Sequence, residues 1–474
     1  MYFERIYEKG LAQASYIIGC QSTKEAIVID PKRDIDTYLQ IAEGENLRIT
    51  HITETHIHAD FLSGTLELAN ATGAEIYLSN EGGSDWQYQF DHIGLNDGDT
   101  IKVGNLIFEV FHSPGHTPEH ISFILTDTPA SSEPVMIFTG DFVFVGDVGR
   151  PDLLEKAAGI EGTMIQGARQ MFRSLKRFKN LPDHLQVWPA HGAGSACGKA
   201  LGAVPSSTIG YEKLSNWALK IDDEKFFIQS LLEGQPEPPK YFAMMKKLNK
   251  IGPVIINSFD HPVKLNPEEF RKVLTKDYQL VDTRDKLSFS GGHIKGSINI
   301  QDNNSFSTWA GWMLDYRRPI ILIAQDHRAD FLKRALLRIG MDNLAGYVSD
   351  IEKLESSGFK MEILNQINVE DLMQDLSSYK IIDVRNYTEF DQAHLPASSN
   401  IHTGYLEKNL KKIHRDERIL VYCTSGDRSA IASSFLLRNG YKNVFNLTGG
   451  INGWIQAGGQ IEKTKNEEIV YSSN

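Results

Sequence analysis

The sequence predicts an α/β protein in which an N-terminal domain of mixed strands and helices precedes two copies of a smaller parallel-sheet domain. Over residues 1 to about 205, alternating apolar segments and helical patterns are separated by Gly, Pro and Asp turns. A segment of roughly a hundred residues then occurs twice, which indicates a duplicated domain. The chain of 474 residues is also too long for one hydrophobic core, so two to four domains are expected.

The N-terminal domain, placed at residues 1–245, combines strands with at least one helix. Segments such as "EAIVID", "IKVGNLIFEVF" and "PVMIFTGD" have the composition and flanking turns of strands. The stretch "GIEGTMIQGARQMFRSLKRF", residues 159–178, is predicted to be helical because Ala168, Met171 and Leu175 recur at helical spacing.

The repeat defines two further domains, predicted at residues 255–360 and 365–474. "YQLVDTRDKLSFSGGHIKGSINI" at 278–300 is echoed by "YKIIDVRNYTEFDQAHLPASSNI" at 379–401. Each copy runs strand, loop, strand, turn and helix, which is typical of a parallel sheet.

Charge and cysteine content restrict the partners and the compartment. A net charge of −12 and a pI near 5.7 argue against nucleic acid or an anionic membrane as a partner. The N-terminus lacks the basic and apolar regions of a signal peptide, and no apolar run is long enough to span a bilayer. The three cysteines, Cys20, Cys197 and Cys423, suit reduced thiols in the cytoplasm better than a disulfide scaffold. We expect a cytoplasmic homo-oligomer.

One turn carries several metal-ligand side chains. "ETHIHADFLSG", residues 54–64, places His56, His58 and Asp60 at alternating positions after an apolar-alternating segment. A turn after a strand can aim such side chains at one point, and imidazole and carboxylate are the usual ligands of zinc and iron.

Three more residues with ligand side chains follow strands farther along the chain. His116 lies in "FHSPGHTPEH", Asp141 in "MIFTGDFVF" and His191 in "VWPAHGAGSACG". Ligands from several strand ends that converge at one edge of a sheet build a rigid metal site, so we predict one here.

These motifs resemble the metallo-β-lactamase fold across roughly residues 1–210, which implies an αββα sandwich. In two-metal members, such as glyoxalase II-like thioester hydrolases, the turn reads HxHxDH and its last histidine helps to hold the second ion. Phe61 occupies that position here and has no lone pair. The second site would keep only Asp60, His191 and a share of Asp141, which counts against a two-metal hydrolase. A zinc-dependent hydrolase of this kind fused to a sulfurtransferase remains the alternative.

Within the same fold, the chain resembles the persulfide dioxygenases, which use one iron ion. The resemblance implies one Fe(II) per chain on His56, His116 and Asp141, a facial triad that leaves open positions for substrate sulfur and O2. The residues that would orient ligands and water are His58, Asp60 and His191. Spacing alone does not choose between zinc and iron.

Two more residues near these motifs are candidates for sulfur chemistry. Arg150 lies in a family-like "GRPD" stretch and could pair with a carboxylate or phosphate of a thiol cofactor, the alternative being a turn pair with Asp152. Cys197 lies six residues after His191 in a Gly-rich loop, and fusion proteins resembling this chain carry a thiol there. It could relay sulfur, the alternative being a small packed side chain.

The second repeat contains a loop suited to sulfur transfer. In "VYCTSGDRSAIASS", residues 421–434, Cys423 ends an apolar strand and a short loop leads into a helix. Backbone N–H groups of such a loop and the helix N-terminus form an anion cradle, which favours the thiolate of Cys423. Arg428 is placed to balance negative charge on the arriving group. The predicted substrate-binding residues of the loop are Thr424, Ser425, Gly426 and Asp427.

This loop resembles the six-residue active-site loop of rhodanese sulfurtransferases, of the form CxxGxR. The similarity extends through Asp383, Arg385 and His394. In the first repeat, matching the apolar strands places Gln325 where Cys423 stands, before a loop that reads "QDHR" and is shorter by two residues. We therefore predict that the first rhodanese-like domain is inactive.

The whole chain resembles bacterial persulfide dioxygenase–sulfurtransferase fusions of sulfide detoxification. The resemblance implies oxidation of a low-molecular-weight persulfide by O2 to sulfite and thiol. It also implies that Cys423 exchanges sulfur among persulfide, sulfite and thiosulfate. Glutathione, coenzyme A and bacillithiol remain open as the carrier thiol. A non-catalytic sulfur carrier or sensor is a further alternative.

Overall fold

The computed structural model describes residues 1–153, 155, 162–195, 197–198, 201–256, 259–274 and 277–464. They group into two compact units. Unit 1 contains Met1–Asp260 together with Arg334–Asp342, and unit 2 contains the described residues of His261–Lys333 and Asn343–Asn474. The limits of the three predicted domains stay predictions. No helix among the described residues has both the length and the apolar composition needed to cross a bilayer.

Unit 1 is built on two six-stranded sheets whose strands follow chain order. The first sheet consists of β1 (Tyr2–Glu8), β2 (Gln13–Cys20), β3 (Glu25–Ile29), β4 (Arg48–Thr53), β5 (Glu75–Ser79) and β6 (Ile93–Leu95). The second consists of β7 (Thr100–Val103), β8 (Leu106–His112), β9 (Ile121–Asp127), β10 (Met136–Gly140), β11 (Gln186–Pro189) and β12 (Ser207–Thr208). The strand pairs β3–β4, β4–β5, β5–β6 and β10–β11 are parallel.

Helices cover the outer face of each sheet. The helices of unit 1 are α1 (Asp36–Gly44), α2 (Thr65–Thr72), α3 (Thr163–Phe178), α4 (Ile209–Ser215), α5 (Glu224–Leu232) and α6 (Phe242–Ile251). The predicted helix at 159–178 is confirmed over the span of α3, while residues 159–161 lie outside the described residues.

Three apolar clusters separate these layers. Between the sheets, Tyr16 of β2 packs in one cluster with Phe108 and Phe138 of β8 and β10. Outside the first sheet, Tyr38 of α1 joins the cluster that contains β3 side chains, and Met171 of α3 joins the cluster outside the second sheet. Every residue of β2 and β10 is buried, as expected of strands that are covered on both faces, and the predicted αββα sandwich is confirmed.

Unit 2 contains two parallel sheets, as the repeat predicted. The first repeat contributes β13 (Gln279–Asp282), β14 (His293–Ile294), β15 (Ile298–Asn299), β16 (Ile320–Ile323), β17 (Leu344–Val348) and β18 (Met361–Glu362). The second sheet, in the order β19-β23-β22-β20-β21, consists of β19 (Asn365–Ile367), β20 (Lys380–Asp383), β21 (Ser399–Asn400), β22 (Ile419–Tyr422) and β23 (Val444–Leu447). In the first repeat the parallel order is β15-β13-β16-β17, and β14 pairs separately with β18.

The helices of the repeats lie between these strands in the chain. They are α7 (Pro267–Leu274), α8 (Lys286–Gly291), α9 (Phe306–Met313), α10 (Ala329–Leu337), α11 (Ile351–Ser356), α12 (Val369–Gln374), α13 (Tyr387–Gln392), α14 (Leu406–Asn409), α15 (Asp427–Arg438) and α16 (Gly450–Gln456). The two predicted rhodanese-like domains therefore share one architecture.

The sheet register corrects one alignment between the repeats. Asp282 pairs with Ile323 in the first repeat, and its counterpart Asp383 pairs with Tyr422 in the second. The residue that follows Ile323 is Ala324, so Ala324 stands where Cys423 does, and the prediction of Gln325 was wrong by one position. The methyl side chain of Ala324 cannot form a persulfide, so the first repeat still lacks the nucleophile.

A segment of the first repeat belongs to unit 1. Residues 334–342, here called the buttress segment, cluster with the N-terminal sandwich. The Arg338 guanidinium donates to Asp34 at 2.8 and 2.6 Å and to Glu8 at 2.9 Å, and the Leu62 N–H donates to the Arg338 carbonyl at 2.7 Å. Arg33 donates in turn to the Asp342 carboxylate at 2.9 Å.

Candidate metal centre and sulfur-transfer loop

The turn after β4 is held by a helix of the same unit. The Asn249 side chain, on α6, donates from Nδ2 to the carbonyls of His58 and Phe61, both at 2.8 Å. Its Oδ1 accepts from the Ser63 N–H at 2.9 Å, and the Tyr241 hydroxyl donates to the Asp60 carbonyl at 3.1 Å. Four buried hydrogen bonds from this part of the chain thus fix the turn.

Three buried side chains from separate loops converge at the end of the sheets. His56, His116 and Asp141 each offer one ligand atom, and these atoms all lie within 4.8 Å of one another. The Asp141 Oδ2 atom is 3.4 Å from His116 Nε2 and 3.9 Å from His56 Nε2. The structure therefore brings together the three residues proposed as metal ligands.

Hydrogen bonds orient both imidazoles toward Asp141. The Nδ1 of His116 donates to the Arg150 carbonyl at 2.9 Å. The Thr55 hydroxyl donates to Asp30 at 3.0 Å, so it accepts from His56 Nδ1, also at 3.0 Å. In each ring the proton is therefore on Nδ1, and the Nε2 lone pair faces the space between the three side chains.

The unpartnered atoms of this cluster fit a bound cation. Among the described residues, no hydrogen bond reaches His56 Nε2 or either carboxylate oxygen of Asp141, although all are buried. A buried carboxylate without a partner is costly, and a divalent cation would offset that cost. Burial lowers the pKa of His116, and burial with neighbouring imidazoles lowers that of His56 still further, which keeps both neutral as metal ligation requires.

A second group of ligand atoms lies beside the first. Asp60, His191 and Cys197 also have ligand atoms within 4.8 Å of one another. His191 Nε2 is 3.3 Å from Asp60 Oδ2 and 3.3 Å from Asp141 Oδ1, so the Asp141 carboxylate faces both groups. The sequence analysis expected a weak second cage here, and the structure adds the Cys197 sulfur to it. Burial, and the carboxylates of Asp141 and Asp60, raise the pKa of the Cys197 thiol.

His58 points to a carboxylate outside both groups. Its Nε2 lies 3.0 Å from Asp30 Oδ1. Burial opposes protonation of the ring, but Asp30 outweighs it and raises the pKa of His58 to about 9. The Phe61 ring is buried 4.4 Å from the His58 ring centroid. His58 thus links the turn to Asp30, which also holds Thr55.

The sequence analysis missed His120 and Asp30. The Asp141 N–H donates to His120 Nε2 at 3.0 Å, so Nδ1 of that ring donates to the Ser113 hydroxyl at 2.8 Å. His120 thereby fixes the backbone of a proposed ligand. The third histidine of "FHSPGHTPEH" and the acid that ends "EAIVID" were the available signals, since both are polar residues beside buried strands.

Arg150 is fully buried, and its guanidinium donates twice to the Asp152 carboxylate, at 2.7 Å each. This geometry is the turn pair that the sequence analysis named as the alternative to substrate binding. Because the Arg150 carbonyl accepts from His116, the pair also helps to place that imidazole.

A cavity of about 310 Å³ opens beside His116. Its walls include Trp86, Pro151 and Gln170. The Lys246 ammonium lies 3.2 Å from the centroid of the Trp86 ring, and burial lowers the pKa of Lys246 to about 7 against the opposing effect of Glu119. The cavity is therefore bounded by polar and aromatic groups next to the proposed ligands.

The loop after β22 surrounds a buried thiol. Cys423 Sγ accepts from the Gly426 N–H at 3.2 Å and from the Ser429 hydroxyl at 3.5 Å. Gly426 has φ +104°, which glycine adopts readily and which turns its N–H inward before α15 begins. Donors of this kind stabilise negative charge on sulfur.

The cation of this loop is already paired. Arg428 donates to both carboxylate oxygens of Glu389, at 2.6 and 2.8 Å, and to the Thr424 hydroxyl at 2.6 Å. Glu389 was not singled out in the sequence. The prediction that Arg428 balances substrate charge must therefore include this carboxylate.

Three regions of the chain match known families. Residues 9–191 match the metallo-beta-lactamase superfamily, and residues 266–354 and 368–457 match the rhodanese-like domain. A solved metallo-beta-lactamase from Staphylococcus aureus subsp. aureus COL is 44% identical, with a TM-score of 0.67, over 73% of this chain and 98% of that one.

Curated proteins of two kinds are similar to the N-terminal part. The mitochondrial persulfide dioxygenase ETHE1 of Bos taurus is 27% identical over 47% of this chain and 77% of its own. The hydroxyacylglutathione hydrolase of Hyphomonas neptunium is 34% identical over 37% of this chain and 60% of its own.

Proposed function

This chain belongs to the metallo-beta-lactamase superfamily and carries two rhodanese-like domains, and on that basis we propose that it is a persulfide dioxygenase fused to a sulfurtransferase. The observation that carries the proposal is the buried triad of His56, His116 and Asp141 in the same chain as the Cys423 loop. Similarity to persulfide dioxygenases supports it.

The proposed oxidation converts R–S–SH, O2 and H2O into RSH, sulfite and two protons. The terminal sulfur is oxidised and O2 is reduced, so no further oxidant is required. An iron(II) ion held by His56, His116 and Asp141 would supply this redox chemistry, because a facial triad leaves positions open for both reactants.

The protein's own contribution is to orient the proposed ligands and the substrate. Thr55 and the Arg150 carbonyl hold the imidazoles of His56 and His116, and His120 holds the Asp141 backbone. The cavity beside His116 would receive the carrier thiol, with Trp86 as one wall. Binding the carrier there brings its terminal sulfur to the triad.

The Cys423 loop would move sulfane sulfur without net oxidation. The Cys423 thiolate attacks R–S–SH or thiosulfate, a Cys423 persulfide forms, and the thiol or sulfite leaves with the electron pair. Transfer from that persulfide to sulfite gives thiosulfate. The Gly426 N–H and the Ser429 hydroxyl stabilise the charge on Cys423. Joining both sites in one chain raises the effective concentration of the shared intermediate.

The second group of ligand atoms favours one competing function. Asp60, His191 and Cys197 could hold a second ion, with Asp141 between the two. Two zinc ions would suit a thioester hydrolase, and a hydroxyacylglutathione hydrolase is among the relatives. The ratio of metal to chain separates the two functions.

The decisive experiment is oxygen consumption by anaerobically iron-loaded protein supplied with glutathione persulfide or coenzyme A persulfide. We expect uptake that is abolished in His116→Ala and retained in His184→Ala, a matched control because His184 is exposed. Cys423→Ser should keep the uptake and shift the products from thiosulfate to sulfite.

The opposite outcome is equally specific. Absence of uptake with either persulfide, together with two zinc ions per chain and thioester cleavage, would establish the hydrolase instead. The domain limits of 1–245, 255–360 and 365–474, the homo-oligomeric state and the cytoplasmic location remain part of this proposal.

A further inference from the structure

The loop that holds Cys423 is contacted by a lysine of the inactive rhodanese-like domain. Lys286 is the first residue of α8, and its ammonium donates to the Ser425 carbonyl at 2.8 Å and to Asp427 Oδ1 at 2.6 Å. A Cβ at Gly426 would lie 3.5 Å from Lys286 Nζ. The ammonium therefore lies against the residue whose N–H donates to Cys423.

Two cationic side chains, Arg428 and Lys286, lie at the Cys423 loop, and their ion pairs differ in geometry. Arg428 is bound through two hydrogen bonds to Glu389 and a third to Thr424, a geometry that resists exchange. Lys286 pairs with Asp427 through one hydrogen bond, and the side chains are 28% and 50% exposed. Solvent-exposed ion pairs contribute little to stability, so an incoming anion can replace Asp427 as the partner of Lys286.

The two repeats also pack against each other at other side chains. The Trp312 ring lies 4.9 Å from the His402 ring and 5.4 Å from the Tyr405 ring. The Asn299 N–H donates to the Ser434 hydroxyl of α15 at 3.0 Å. Lys286 thus lies at the start of a helix in a domain that packs against the repeat of Cys423.

We propose that Lys286 binds the anionic end of the sulfur donor at Cys423, so that the inactive domain completes the active site of its partner repeat. The proposal rests on the sulfurtransferase function proposed for Cys423. The anion is a small sulfur oxyanion, carried by thiosulfate and released as sulfite. The thiolate forms an S–S bond to the sulfane sulfur of thiosulfate, the S–S bond of thiosulfate breaks, and sulfite leaves with the electron pair. The Cys423 thiolate and thiosulfate together carry a charge of −3, and so do the Cys423 persulfide anion and sulfite.

The test uses the full chain and measures sulfur transfer from thiosulfate to cyanide under anaerobic conditions. We expect Lys286→Met to raise the KM for thiosulfate about tenfold and to change kcat less than twofold, because uniform binding is lost. Lys286→Arg should restore most of the affinity. Lys295→Met is the matched control, since Lys295 lies in the same domain and pairs with Glu362 at 3.0 Å.

A donor without a charged carrier, 2-hydroxyethyl persulfide, distinguishes binding from loop positioning. Lys286→Met should react with it at the wild-type rate if the lysine binds the oxyanion. An equal loss with both donors, or an unchanged KM for thiosulfate, would overturn the proposal for Lys286. If wild-type Cys423 accepts sulfur from neither donor, the sulfurtransferase function itself is wrong.

Discussion

Arg338 offers the sharpest test of how unit 1 is held together. Its guanidinium makes three hydrogen bonds to two carboxylates, and the side chains of Arg338, Asp34 and Glu8 are at most 9% exposed. Methionine has a similar length but no charge, so Arg338→Met would leave Asp34 and Glu8 buried without their main partner. The substitution keeps the backbone carbonyl that accepts from Leu62.

The expected cost follows from the surroundings of Asp34. Removing one partner of a buried ion pair destabilises a protein by about 3–5 kcal/mol. Lys32 remains 3.3 Å and Arg334 3.8 Å from Asp34, so we expect the lower end of that range, about 3 kcal/mol. Burial opposes ionisation of Asp34, but Arg338 outweighs it and lowers the pKa of that carboxyl. The stabilisation is therefore complete above the unfolded pKa of about 3.9 and is lost as the pH falls through the folded pKa.

Amide hydrogen exchange can measure this loss of stability at the turn after β4. The Leu62 N–H, in the turn that carries the proposed ligands, should exchange about a hundredfold faster at pH 7, as a loss of about 3 kcal/mol requires. Lys179→Met is the matched control, because Lys179 pairs with the exposed Asp222 of the same unit and should cost less than about 1 kcal/mol. Equal exchange in the two variants at pH 7, or a difference that does not shrink as the pH falls below about 4, would refute the reasoning.

Three further predictions concern single side chains. Asp30→Asn should weaken metal binding about 10- to 100-fold in a chelator competition, because Asp30 holds both Thr55 and His58; unchanged affinity would contradict this. Burial, reinforced by Arg428, lowers the pKa of His402 to about 4. Between pH 6.5 and 4 this histidine is therefore protonated in the unfolded chain but neutral in the folded one. The free energy of unfolding, measured with urea, should therefore fall by up to about 3 kcal/mol as the pH is lowered from 6.5 to 4. In His402→Gln most of this decrease should be absent. Gly426→Ala should cost about 1 kcal/mol because of its φ of +104°, and should slow thiosulfate–cyanide transfer, whereas wild-type rates would show that the turn adapts.

The sequence predicted those parts of the site that follow directly from strand ends. His56, His116 and Asp141 each come after an apolar strand or its turn, and strands of one sandwich end at a common edge. The shared position of Asp141 between two groups of ligands depends on side-chain directions, which spacing does not encode. The pairing of Arg428 with Glu389 was missed for the same reason, since 39 residues separate them.

Other failures came from register and from tertiary packing. The counterpart of Cys423 was placed one residue late because the loops of the two repeats differ in length, and only the cross-strand pairs of Asp282 and Asp383 fix the alignment. Only the first four residues of the buttress segment belong to a helix, the end of α10, and the rest follow it. Nothing in the sequence around Arg338 indicated that its partner lies some three hundred positions away.

The buttress segment also sets an order of events during synthesis. Unit 1 cannot close the Arg338 network until residue 338 has left the ribosome, although its two sheets are complete after β12 at Thr208. Translation of the intervening 130 residues, at about 5–20 residues per second, takes roughly 7–26 s. During that interval the turn after β4 lacks the hydrogen bond from Leu62 to Arg338. The hydrogen bond from Leu62 to Arg338 therefore forms late, after most of the first rhodanese-like domain has been made.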